Sequence, residues 1–167
     1  MKFANRAIQV VVLAARIGTG VSFAVLIGAV LIQVVGRSAG ASPVWTEELT
    51  RFALLFTVAF GAGLSLRTGD LVNVDVICES LPGRAPWMLR LLAAVTTAAI
   101  SIYLLPFAWK FVAIGRMQTS PALGLRMDYA HFTILLMLAL LAVFGALRAL
   151  GMLAGVEDGT PATREEG

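Results

Sequence analysis

Glu47 and Glu48 stand four and three residues ahead of Arg51 in the stretch Ala41 to Phe52, ASPVWTEELTRF, which leads into the uncharged segment FALLFTVAFGAGLSL. On a helix both spacings bring acid and base together, and the order acid before base is the more favourable one. At the centre of a bilayer each such charge costs about 2.5–3.5 kcal/mol, and less near the interface. Pairing two carboxylates with one guanidinium lowers that cost but leaves one negative charge over. Two readings are open on spacing alone. The cluster is a functional site, as intramembrane charges often are, or it anchors a helix end at headgroup depth together with Trp45.

Other candidate chemistry is sparse. His131 is the only histidine, whereas a haem in a membrane bundle needs two axial ligands and zinc needs three or four side chains. It reads as an ordinary hydrogen-bonded residue, and no Ser-His-Asp or Cys-His set gathers around it. Cys78 is the only cysteine, which excludes an internal disulfide and a multi-cysteine metal cluster; it reads as a small apolar filler. GAGLSLRTG is glycine-rich but lacks the Gly-Lys-Ser/Thr ending of a phosphate loop. The expectation is a protein that is not an enzyme and carries no cofactor.

The elements that position these residues follow from composition. Of 167 residues 59% are hydrophobic and only 14% charged, with a mean hydropathy of +0.87. Ordinary globular domains are about one-quarter charged, so lipid is the expected solvent. Net charge is +3 and the basic residues are scattered between apolar blocks, which gives nucleic-acid binding no support. Four charge-free blocks stand out: Ile17 to Gly36, Phe52 to Leu66, Leu91 to Trp109 and Tyr129 to Leu147. A helix needs about 20 apolar residues to cross the hydrocarbon. The second block is 15 residues long and reaches that length only by drawing in VWTEELTR, which puts its charges at interface depth. The expected fold is all-α: an integral membrane protein with four spans, about 15–37, 44–67, 87–112 and 128–150, forming one domain over 1–151.

Trp45, Trp87 and Trp109 fall at block edges, where amphipathic rings favour the headgroups. Pro106 should bend the third helix locally, since it cannot donate to the carbonyl four residues back. The first block is longer than the apolar region of a secretory signal and three more spans follow, so cleavage is not expected. The N-terminus, middle loop and tail carry eight Lys and Arg (Lys2, Arg6, Arg16, Arg67, Arg84, Arg90, Arg148, Arg164), and the opposite side carries five (Arg37, Arg51, Lys110, Arg116, Arg126). The positive-inside rule then puts both termini in the cytoplasm.

Between spans two and three, GDLVNVDVICESLPG is too polar to cross. It reads as a short interfacial helix, capped by Asp70 and stopped by Pro82-Gly83, because an isolated strand beside lipid would leave backbone groups unpaired. The acidic tail, 152–167, is expected to be disordered. Small residues recur every four positions at Gly20, Ala24 and Gly28, and at Ala53, Thr57, Gly61 and Ser65. Such ridges let helices approach closely in lipid; in a chain this rich in Ala and Gly they also arise by chance.

Arg37 followed by Trp45-x-Glu47-Glu48-x-x-Arg51 at the head of the second span resembles the small membrane subunit of tripartite ATP-independent periplasmic (TRAP) transporters, the DctQ-like family. LVNVDVICESLP is similar to that family's short post-span motif at Asp75 and Pro82. TSPALGLRMDYAHF is similar at Thr119, Pro121, Ala122 and Leu123. The resemblance covers roughly Ala15 to Gly151; the Trp-x-Glu-Glu motif is its most specific part. The chain departs from the pattern at Leu71, where many members have histidine, and at Arg126, where proline is common.

The resemblance implies a partnership. A large multi-span permease subunit carries the substrate and sodium sites, and a periplasmic solute-binding protein delivers the solute, typically an organic acid. The small subunit, in the bacterial inner membrane, braces the large one and contacts membrane lipid. Arg37, Trp45, Glu47, Glu48, Arg51 and Asp75 would then serve the partner interface, with the surplus carboxylate meeting the large subunit or a lipid headgroup. The competing class is a self-sufficient four-span proton-coupled exporter, which would carry its acid in the first span; there Gln33 is the only strongly polar side chain of the charge-free block. A third is a lone assembly factor. On the preferred reading the solute is not written in this chain, which never touches it.

Overall fold

The structure is a computed structural model that describes residues 2–41, 43–68 and 85–155, with side chains for 8–41, 43–67 and 85–155. Four helices account for nearly all of it: α1 (Lys2–Ser38), α2 (Trp45–Thr68), α3 (Ala85–Gly115) and α4 (Asp128–Leu153). The only β-type pairing among the described residues is an isolated antiparallel bridge between Thr119 and Arg126. Each helix contains a stretch long and apolar enough to cross a membrane: Ile8–Ser38, Trp45–Arg67, Ala85–Gly115 and Asp128–Leu153. The protein is therefore an all-α membrane protein. The expected interfacial helix, with Asp75, Leu71 and Cys78, and the tail from residue 156 lie outside the described residues.

Helix ends follow local chemistry. α1 closes on Gly40 at φ +76°. Gly40 N–H donates to Arg37 O at 3.2 Å and Ala41 N–H to Gly36 O at 2.9 Å, so a left-handed glycine satisfies two carbonyls that the helix leaves open. α2 then starts at once, with Thr46 N–H and Thr46 Oγ1 both donating to Pro43 O. Glu47 and Glu48 lie in its first turn, where negative charge suits the helix dipole. α3 continues through Pro106 to Gly115.

The chain divides into two compact units, Met1–Gly61 with Pro106–Leu136, and Ala62–Leu105 with Met137–Gly167. Much of the core in both is alanine. In the first unit Ala15, Ala29, Phe52, Ala53, Ala59, Ala108, Val112 and Ala130 are buried. In the second, Leu66, Ala94, Ala98, Leu140, Phe144 and Met152 are. In lipid the hydrophobic effect does not separate helix from acyl chain, so close approach across small residues carries the packing.

The glycines that permit this approach are not the ones the four-residue ridges single out. A Cβ at Gly20, Gly28 or Gly61 would meet nothing within 4 Å. At Gly63 it would fall 2.6 Å from Leu140 Cβ, at Gly18 2.7 Å from the Phe60 ring, and at Gly145 3.2 Å from Ala98 Cβ. Among the described residues the α1 ridge thus meets no neighbour at Gly20 or Gly28; in α2, Ala53 is buried and a Cβ at Gly61 would meet nothing within 4 Å. Spacing finds a ridge, but the neighbour that would use it is a tertiary fact.

Candidate functional site

The charged opening of α2 and the loop before α4 meet in the first unit. The loop, residues 116–127, is tied at its base by Met127 N–H donating to Gln118 O at 2.9 Å and Ser120 N–H donating to Leu125 O at 2.7 Å. Gly124 turns it at φ +65°, a conformation that costs a side-chain-bearing residue about 1 kcal/mol or more. Gly124 N–H donates to Ser120 O at 3.1 Å. This closed turn leaves the successive N–H groups of Ala122 and Leu123 pointing outward, just after Pro121, which has none to offer.

Glu48 fills that concavity. Its Oε2 accepts from Ala122 N–H at 3.0 Å and from Leu123 N–H at 2.8 Å. The Ser120 Oγ accepts from the same Leu123 N–H at 3.3 Å and braces the turn from the other side. Consecutive backbone N–H groups in a turn form a ready anion cradle, here taken by a carboxylate of the same chain. Two motifs more than seventy residues apart therefore make one structural unit, with α2's first turn holding the loop that leads into α4.

The ion pairs expected from spacing do not form. Among the described residues no salt bridge joins Glu47 or Glu48 to Arg51, and the pair that does occur is Arg126 with Asp128, at 2.6 Å. The physical reason is competition between partners. A fixed cradle of donors demands no ordering of a second flexible side chain, whereas an exposed Arg51 would have to give up its rotamer freedom to pair. The carboxylate left over from the acid-base count is thus Glu47, which is exposed, and not Glu48, which is half-buried. Arg37 and Arg51 are exposed and Trp45 is 39% exposed.

Arg126, one of the two departures from the family pattern, acquires a place here. Its guanidinium donates to Asp128 at the head of α4. His131 is structural, as its isolation suggests. Its Nδ1 donates to Phe111 O at 3.0 Å and its ring stacks on Phe111 with centroids 3.9 Å apart. Beneath it, a Cβ at Gly115 would lie 2.5 Å from His131 Nδ1 and 2.8 Å from Asp128 N, so only glycine admits this junction of α3 and α4.

Two contributors escape sequence reasoning. Ser120 is 3% exposed and shapes the cradle from inside; a serine before proline in TSPAL is the signal that marks it. Arg148, counted above as a tail charge, is 7% exposed in the second unit. Its Nη1 donates to Leu66 O at 2.9 Å, satisfying one of the last four carbonyls of α2, which have no partner within the helix. Its signal is an arginine flanked by apolar residues on both sides, in FGALRALGML.

No individually curated protein matches the chain. The family model described as "Tripartite ATP-independent periplasmic transporters, DctQ component" matches residues 26–155. That span takes in the α2 opening, the Glu48 cradle, the Arg126 pair and the Arg148 cap, and it is well over half of the chain. The protein belongs to the DctQ family of TRAP transporter small permease subunits.

Proposed function

We propose that this subunit braces the large multi-span permease subunit of a TRAP transporter during sodium-coupled uptake of an organic acid delivered by a periplasmic binding protein. One observation carries the reading. Glu48 is satisfied inside its own chain, while Arg37, Trp45, Glu47 and Arg51 remain exposed. Exposed charges at the edge of an apolar span are costly beside lipid tails and become favourable against complementary groups on a partner or in the headgroups. On this reading the Glu48 cradle sets the shape of the docking surface and the four exposed side chains engage it. Asp75 is assigned to the same interface by the family resemblance. The chain sits in the bacterial inner membrane with both termini in the cytoplasm, following its Lys and Arg distribution.

Co-purification with the large subunit tests this. Arg51→Ala and Glu47→Gln should each lower recovery of the complex while the small subunit itself still folds. Proteoliposomes holding this chain alone should not accumulate organic acids under a sodium gradient. Coupled uptake by the purified chain, or normal assembly with altered ion dependence in either variant, would sink the bracing role and favour a self-sufficient transporter.

A further inference from the structure

The last turns of α1 carry polar side chains with hydrogen-bonding capacity to spare. Gln33, Val34, Arg37 and Ser38 line a cleft of about 360 Å³, within the usual range of small-molecule sites, about 300–1,000 Å³. At about 100° per residue the four fall within one arc of about 140°. Arg37 and Ser38 are exposed, Gln33 is half-buried, and Val34 is 57% exposed. Among the described residues neither the Gln33 amide nor the Arg37 guanidinium has a hydrogen-bond or ion-pair partner.

Depth sets what can answer them. The charge-free interval Ile17 to Gly36 is about 30 Å of helix, the width of the hydrocarbon. Arg37 therefore stands at the headgroups, and Gln33 lies one turn deeper, about 6 Å in. The headgroup layer is itself about 5–8 Å thick on each side, the difference between about 40–45 Å of bilayer and about 30 Å of hydrocarbon. A cation at the outer edge of that layer and a neutral donor at its inner edge match the acceptors of a glycerophospholipid, whose phosphate lies outside its ester carbonyls. An amide left unpaired at that depth is costly. Exposed Leu31, Val34 and Val35 give the acyl chains an apolar bed.

Ser38 selects among headgroups. Its hydroxyl donates to Val34 O at 3.0 Å, so its oxygen has only lone pairs left to offer. α1 ends here, and the negative end of its dipole disfavours a bare anion and favours a cation. Both features call for an N–H-bearing cation beside the phosphate.

We infer that this cleft binds a phosphatidylethanolamine-type lipid, with the phosphate on the Arg37 guanidinium, an ester carbonyl on the Gln33 amide and the ammonium on Ser38 Oγ. A guanidinium fork matches phosphate oxygens in pairs. Arg37 belongs to the interface of the proposed bracing role, and here it meets the partner subunit across a lipid. Lipid retention is read on the chain alone, apart from recovery of the complex, so either can fail without the other.

The full chain is reconstituted in nanodiscs of phosphatidylethanolamine, phosphatidylglycerol and phosphatidylcholine in equal parts and released into mild detergent. Native mass spectrometry then counts the lipid it retains. Phosphatidylethanolamine should be retained severalfold over the other two. Arg37→Gln should lower that retention about fivefold, the effect of one basic residue at a lipid surface. Gln33→Leu should lower it severalfold, and Arg37→Lys should keep the larger part of it. Arg116→Gln, which removes another exposed arginine, should leave it unchanged. Three results overturn the assignment. Equal retention of the three lipids, or retention indifferent to Arg37→Gln, means annular lipid only. Displacement by millimolar inorganic phosphate means that the cleft takes a free anion. Loss of the lipid on assembly with the large subunit means that protein fills the cleft.

Discussion

Alanine at Gly61 and alanine at Gly63 are two positions apart in α2, and their consequences should diverge. At Gly61 the new Cβ meets nothing within 4 Å; at Gly63 it falls 2.6 Å from Leu140 Cβ and 3.4 Å from Phe144 Cδ2. Both exchanges gain the same helix propensity, about 0.8–1.0 kcal/mol in aqueous hosts, so this term cancels in the comparison. Apolar carbons rest about 3.5–4.0 Å apart, and Gly63→Ala therefore asks for about 1 Å of extra separation from α4. Leu140 Cβ is fixed to its backbone and cannot rotate aside, so the helices themselves must give. Overpacking costs about 1–3 kcal/mol, and a backbone shift belongs in the upper half of that range. Gly63→Ala should thus be about 2 kcal/mol less stable than Gly61→Ala, or about 4–8 °C in Tm by the scaling for chains of this size. Thermal unfolding of the detergent-solubilised chain, followed by circular dichroism, measures the difference. Equal midpoints, or a lower one for Gly61→Ala, would refute the packing argument.

Glu48→Ala should speed hydrogen exchange at the Ala122 and Leu123 amides, and Ser120→Ala should do so less; unchanged protection would mean the cradle does not hold the loop. Arg148→Met strands Leu66 O and should cost about 1.5–3 kcal/mol, the value of a hydrogen bond from a charged donor, read from the same unfolding assay; an unshifted midpoint would count against the cap. Reporter fusions after Arg6 and after Ala162 should both register cytoplasm, and a periplasmic signal from either would mean that the orientation is reversed or the span count is wrong.

Hydropathy by itself determined the four spans, because a helix in lipid satisfies its own backbone and needs only length and apolar content, both of which are local. The Trp-x-Glu-Glu motif with TSPAL was likewise enough to suggest the family, since it is a matter of residue identity and order. What Glu48 binds was not local. Helical spacing offered Arg51 as the partner, but the fold brought the rigid N–H pair of Ala122 and Leu123 within 3.0 Å, and a preformed cradle outcompetes a flexible exposed side chain. The same logic separates the glycines. A four-residue repeat identifies Gly20 and Gly28, yet only the position of a neighbouring helix makes Gly63 costly to replace and Gly145 tightly packed. Arg148 reads as a tail charge until its carbonyl partner on α2 is known, because the open carbonyls of a helix end exert their demand through space and not along the chain.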